Sequence, residues 1–164
     1  MTINEMVFHS CTCLTDIDIP TSVNKIMNAA FYGCSSVKNV YIGKNVNSIG
    51  EYAFGGCPKL TDVYCKSENI PSTPLNAFEG SNSEDAILHV PSISISNYGD
   101  TEPWKYFKDI IALTDQELSI ENVMNNVKLE NDCYNLKGQH LNYPQKGINI
   151  FKTSDGKTKK VFVK

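Results

Sequence analysis

Arginine is absent. All fifteen basic residues of this 164-residue chain are lysine. Arginine supplies the planar, two-pronged donor favoured in phosphate and base recognition, so its absence argues against a dedicated nucleic-acid partner. Long apolar runs are lacking too. None approaches the roughly 18 residues of a membrane span. No basic segment followed by an apolar stretch opens the chain, so no secretory signal is read there. The phosphate-cradling G-x-x-x-x-G-K-[ST] loop and the G-x-G-x-x-G turn are both missing. Hydrophobic residues make up 41% and charged residues 20%, which suits a globular protein.

Charge is unevenly spread over a formal net of −3. Residues 1–115 hold seven Lys against thirteen Asp or Glu, a balance of −6. Residues 116–164 hold eight Lys against five acids, a balance of +3. The acidic first part would repel a nucleic-acid backbone.

What is present is a beat. Phe8, Phe31 and Phe54 recur every 23 residues, and so do Cys11, Cys34 and Cys57. Ile3, Ile26 and Ile49 keep the interval, as do Leu14, Val37 and Leu60. Four columns with one period specify a solenoid of the leucine-rich-repeat class. Alternation at 16–19, 39–42 and 62–65 predicts one short strand per turn, apolar inward and polar outward. Stacked turns then form a parallel sheet with strands about 4.8 Å apart. A fourth strand is expected at Ile87–Val90, with Phe78 and Ser81 in the phenylalanine and cysteine columns. After the strands come Val23, Val46 and, in the third turn, Asn69. Each Ala-Phe segment reads as a single helical turn, and Tyr-Gly or Gly-Gly before the next Cys suits a sharp reversal.

The frame is carried by Ser22-Val23, Ile26, Ala30-Phe31, Cys34, Val37, Val40 and Ile42, and recurs from Asn45-Val46 to Cys65. It resembles the BspA-like leucine-rich repeat family over about residues 1–113. The resemblance implies a surface or secreted bacterial protein. The generic Asn position holds Ser22, Asn45 and Glu68, so no asparagine ladder is expected. Tyr98, Trp104, Phe107 and Ile110–Leu113 read as a terminal cap, which a solenoid needs to cover its last apolar face. No comparable cap precedes the first turn. The chain opens in mid-pattern at Thr2-Ile3, which suggests that something upstream is absent.

Residues 116–124 read as a linker and 125–164 as a small antiparallel β module. Its pattern is Tyr134-x-Leu136-x-Gly138-x-x-Leu141, Lys146-Gly-Ile-x-Ile150 and Lys160-Val-x-Val-Lys164, with a hairpin signal at Asp155-Gly156. It is similar to C-terminal modules of surface proteins of Gram-negative anaerobes, which implies a part in export and attachment. Lys152, Lys157, Lys159, Lys160 and Lys164 read as a solvated hairpin whose charge blunts aggregation, with attraction to an acidic surface or anionic polysaccharide as the lesser reading.

Catalytic and metal chemistry find little support. His9-x-Cys11-x-Cys13 lacks the four ligands and loop spacing of a zinc site, and Cys11 belongs to the structural column. Periodic Cys is best read as a small buried hydrophobe. Cys13, Cys65 and Cys133 fall outside that column. No local signature pairs a thiol with His9, His89 or His140. No cofactor, metal or enzymatic activity is expected.

The outward strand positions carry the candidate site. Asp16, Asn39 and Asp62 form one column; Asp18, Tyr41, Tyr64 and His89 form the next. Exposed tyrosines beside acids suit a sugar ring, a peptide or a protein patch, and equally a ladder that stabilises neighbouring strands. The fold class is therefore mainly β: a short solenoid over 1–115, then the small module. The resemblance implies a non-catalytic adhesion module for a host or bacterial surface protein or glycan. The alternative is a structural spacer that self-associates through its uncapped N-terminal turn.

Overall fold

The computed structural model describes residues 1–114, Glu117, and the backbone of strand residues 133–134, 140–141, 147–152 and 158–163. In chain order the elements are β1 (Thr2–Ile3), β2 (Asp16–Ile19), β3 (Lys25–Ile26), β4 (Asn39–Ile42), β5 (Ser48–Ile49), β6 (Asp62–Cys65), β7 (Ile87–Val90), α1 (Ile95–Asp100) and β8 (Asp109–Ala112). β9 (Cys133–Tyr134), β10 (His140–Leu141), β11 (Gly147–Lys152) and β12 (Thr158–Val163) follow. Contacts divide the chain into two compact units, Met1–Leu118 and Ser119–Lys164. Apart from Glu117, the expected linker 116–124 lies outside the described residues. In the second unit the strands pair antiparallel in the order β10-β9-β11-β12. The Asp155-Gly156 turn lies outside the described residues.

In the first unit, alternation does what a period of two requires. Inward residues Ile17, Val40, Val63 and Leu88 stand in register on β2, β4, β6 and β7, and all are buried. The parallel sheet runs β2-β4-β6-β7-β8. The fifth strand, β8, comes from the segment expected to be only a cap, because Asp109–Ala112 pairs along β7.

One strand per turn is an undercount. A second parallel sheet, β1-β3-β5, joins the Ile3, Ile26 and Ile49 column. Its strands are two residues long, too short for alternation to reveal. Ser72 bridges to Ser48 and extends this line into the third turn. The Val23 and Val46 position there is therefore taken by Ile70, which packs on the core, rather than by Asn69. One extra residue in the third turn shifts the frame.

The Ala-Phe segments are not helical turns in the first three repeats. Met6, Ala29 and Tyr52, again 23 apart, hold left-handed backbone at φ 55°, 52° and 55°. That conformation stops a helix from propagating. A short 3-10 turn forms only in the fourth repeat, at Leu75–Phe78. The reversals use Gly33 and Gly56 at φ 71° and 65°, where glycine carries no Cβ penalty. Backbone bonds tie these loops to each other: Phe8 N–H donates to Ala30 O at 2.8 Å, and Phe31 N–H to Ala53 O at 2.9 Å.

The phenylalanines stack face to face. Phe8–Phe31, Phe31–Phe54 and Phe54–Phe78 have centroids 5.0, 5.6 and 5.5 Å apart, with planes within 14°. Each pair adds about 0.5–1.5 kcal/mol beyond its burial. The stack ends where Trp104 and Phe107 meet Phe78 edge-on, at 5.5 and 5.2 Å. Tyr98 and Trp104 are fully buried beneath α1 and the turn Trp104–Tyr106. Tyr98 Oη donates to Ser67 O at 2.9 Å and lies 3.2 Å from Cys65 Sγ. Cys65, outside the cysteine beat, thus fills the Ile19–Ile42 column.

The cysteine column has a second reason beyond size. Cys34 Sγ donates to Phe8 O at 3.2 Å and Cys57 Sγ to Phe31 O at 3.8 Å. In the fourth turn Ser81 Oγ makes the same bond to Phe54 O. The slot requires a small group that can donate to the carbonyl of the preceding turn's phenylalanine.

The first turn departs from expectation. Ile3, Leu14 and Cys11 are only partly buried, and Phe8 is 38% exposed. Each packs against the second turn on one side, where Phe31 and Phe54 have neighbours on both.

Candidate functional site

The outward face of the five-stranded sheet gathers the expected residues. Asp16, Asn39, Asp62, Ile87 and Asp109 stand in one register line. Asp18, Tyr41, Tyr64, His89 and Ile111 stand in the next. Asp16 and Asp18 are exposed; Asn39, Tyr41, Asp62 and Tyr64 are half-buried.

The second line is an aromatic stack. Tyr41 and Tyr64 have centroids 4.6 Å apart and planes 12° apart. His89 continues it at 4.1 Å and 23° from Tyr64. Parallel strands place these side chains one strand step apart, so rings in register lie flat on one another.

The carboxylates are positioned by donors around them. Asp16 Oδ1 accepts from Asn39 Nδ2 at 2.6 Å, and Asp16 Oδ2 from Thr15 Oγ1 at 2.7 Å. Asp62 Oδ1 lies 3.0 Å from His89 Nε2, and Glu117 Oε1 lies 3.6 Å from His89 Nδ1. Glu117 Oε2 accepts from Thr114 N–H at 2.6 Å and from Thr114 Oγ1 at 2.8 Å. Burial pushes the Tyr64 phenol up to about 12, with the Asp62 charge adding to it. Tyr41 is raised by burial and by the negative charges of Asp16, Asp62, Asp18 and Glu117. The field over this face is negative.

His89 corrects an expectation. It stands in the outward line but is only 8% exposed, clasped between Asp62 and Glu117 and covered by the Tyr64 ring. It lies between the two acids and is largely shielded from solvent. Asp109 and Ile111 extend both lines through the pairing of β8 with β7; the Asp-Ile-Ile-Ala run does not alternate and gave no such signal. Glu117 gave none, because only the fold brings it over His89.

Elsewhere, His9 Nδ1 meets Ser10 Oγ at 2.9 Å and its ring stacks on Tyr32 at 5.3 Å. Cys11, Cys13, Cys34, Cys57 and Cys65 are free thiols. Cys11 is half-buried rather than buried as its column suggested, and Cys13 is exposed. Burial raises the Cys57 thiol to about 11 and raises those of Cys34 and Cys65. Among the described residues, no group of three His, Cys, Asp or Glu is placed to hold a metal ion. Among them, no helix is long and apolar enough to cross a membrane.

No curated protein matches the chain. A family model described as a BspA type leucine rich repeat region, of six copies, matches residues 1–102. That range covers the Phe and Cys columns, both parallel sheets up to β7, and most of the outward face. The chain belongs to the BspA-type leucine-rich repeat family.

Proposed function

We propose that this protein is a non-catalytic binding module of a bacterial cell-surface or secreted protein. It recognises a protein or glycan through the strand face of its solenoid. The observation that carries this reading is the Tyr41–Tyr64–His89 stack, held flat and in register on the outward side of the sheet. A solenoid face of this kind offers pre-ordered aromatic edges and hydroxyls at low entropic cost. The small antiparallel β module over residues 125–164 serves export or attachment.

The test is binding of the purified chain to immobilised matrix proteins, mucins and bacterial glycans, beside the Tyr41→Ala/Tyr64→Ala variant. Circular dichroism checks that both are folded. A signal lost in the variant supports the reading. A signal that survives in it moves the site off the strand face.

A second reading is self-association through the first turn. Met6, Val7 and Phe8 are 58%, 53% and 38% exposed there, an apolar group beside the open edge of β2. Sedimentation velocity over a wide concentration range decides it: a strictly monomeric chain removes it.

A further inference from the structure

We infer that His89 and Glu117 form a pH-sensitive latch: the protonated imidazole ties the turn that follows β8 to the sheet, and its deprotonation lets that turn go. The latch is a property of the fold and stands apart from the strand-face reading above.

The tie consists of one ring between two carboxylates. Asp62 Oδ1 lies 3.0 Å from His89 Nε2, and Glu117 Oε1 lies 3.6 Å from His89 Nδ1. A neutral imidazole carries one N–H, whichever tautomer it adopts. Its other nitrogen then turns a lone pair toward a carboxylate. The imidazolium carries two N–H groups and answers both acids at once. His89 is only 8% exposed, so water has little room to stand in for the missing proton. The ring matches both of its neighbours only in its charged form.

The other groups around the ring leave the balance to these three. Tyr64 covers one face, and its phenol, pushed up to about 12, stays neutral where imidazole titrates. On the other side β8 presents Ile111 in register with His89. Asp109 stands in the neighbouring line, opposite Ile87, and is the charged residue of β8. Imidazole is the side chain that changes charge between about pH 5 and about 8.

The two acids are not equivalent. Asp62 is the nearer one and sits on β6, a strand paired on both sides. It keeps the remaining N–H when the ring loses a proton. Glu117 is the farther acid and the one released. It has bonds of its own to fall back on. Its Oε2 accepts from Thr114 N–H at 2.6 Å and from Thr114 Oγ1 at 2.8 Å, while Glu117 N–H donates to Thr114 Oγ1 at 3.3 Å. This is the reciprocal capping box of a helix start. One carboxylate oxygen thus serves the turn and the other faces the sheet. Leu113, one residue earlier, donates its N–H to Val90 O at 2.8 Å, so the ladder ends where the latch begins. Loss of the His89 proton leaves the capping box whole and removes its anchor. That is a two-state element biased by a single proton.

The test is amide–water exchange by NMR on the full chain, at about pH 5.5 and about pH 8.5, corrected for the intrinsic pH dependence of exchange. Protection of the Thr114 N–H should fall about fivefold or more at the higher pH, while that of Leu113 changes by less than about twofold. Glu117→Gln keeps the capping box, because Gln serves that position as Glu does, but removes the charge facing His89. It should flatten the pH dependence at Thr114. His89→Gln does not titrate and should flatten it too; if that variant fails to fold, Glu117→Gln decides alone. Thr114 protection that is equal at both pH values in the native chain would overturn the latch. So would an undiminished fall in Glu117→Gln, which would assign the effect to another group. A parallel loss at Leu113 would mean that the whole sheet end loosens, and would overturn it as well.

Discussion

Tyr41 and Tyr64 stack with centroids 4.6 Å apart and planes 12° apart, although 23 residues separate them in sequence. The same pairing is expected to contribute to stability as well as to recognition. A double-mutant cycle of Tyr41→Ala and Tyr64→Ala, followed by urea unfolding, should return a coupling of about 0.5–1.5 kcal/mol. Strict additivity would mean that the rings only share a face.

The phenylalanine stack should be graded along the chain. Phe54 is fully buried between Phe31 and Phe78, so Phe54→Ala should cost about 3–5 kcal/mol. Phe8 stacks on one side only and is 38% exposed, so Phe8→Ala should cost markedly less. Equal losses in urea unfolding would contradict this account of the first turn.

Gly43 lies where a Cβ would sit 2.7 Å from Ile19 O and 2.9 Å from Pro20 C. Backbone cannot yield as a side-chain tip can. Gly43→Ala should lower stability by about 1–3 kcal/mol. Gly99→Ala, whose Cβ would meet nothing within 4 Å, is the control and should be close to neutral. Thermal unfolding of the two variants provides the comparison.

Alkaline pH should loosen the solenoid before it loosens an ordinary domain. Cys57 moves from 9.0 unfolded to about 11 folded, and Tyr64 from 10.0 to about 12, both chiefly by burial. Well below pH 9 both groups are neutral in either state. Above that, the unfolded chain ionises first, so stability falls as pH rises from about 9 through about 12. Cys57→Ser should flatten the first part of the decline. A profile unchanged by that substitution would remove the thiol from the explanation.

Thiol labelling gives a direct test of the cysteine column. Cys13 should react at once in the native chain, while Cys34, Cys57 and Cys65 react only on unfolding. Cys57→Ser should be tolerated within about 1.5 kcal/mol, because Ser81 already fills the same slot and donates to the same carbonyl one turn on. A collapse of Cys57→Ser would show that the apolar character of the thiol, rather than its donor, sets that position.

The sequence carried the main sheet in plain view. Asp16–Ile19, Asn39–Ile42, Asp62–Cys65 and Ile87–Val90 alternate, and alternation assigns faces wherever one side is buried. The seven candidate residues all stand on the outward lines for that reason. β1, β3 and β5 escaped notice because two residues cannot show a period. The left-handed column at Met6, Ala29 and Tyr52 escaped because none of these is the glycine that usually marks it. Ile70 replaced Asn69 because one inserted residue breaks a fixed count. Asp109 and Ile111 were hidden by the loss of the Phe and Cys beat after Phe78.

The 23-residue columns by themselves determined that this protein is a repeat whose turns must stack, since no single turn can bury its own apolar face. They also determined which side chains point outward, because side-chain direction in a strand is a matter of parity. Tertiary structure alone decided what those side chains do there. Stacking laid Tyr41 flat on Tyr64, packing pressed His89 beneath them, and the fold carried Glu117 over the last ring. These contacts join residues far apart in sequence, so they depend on distances that a linear pattern does not contain.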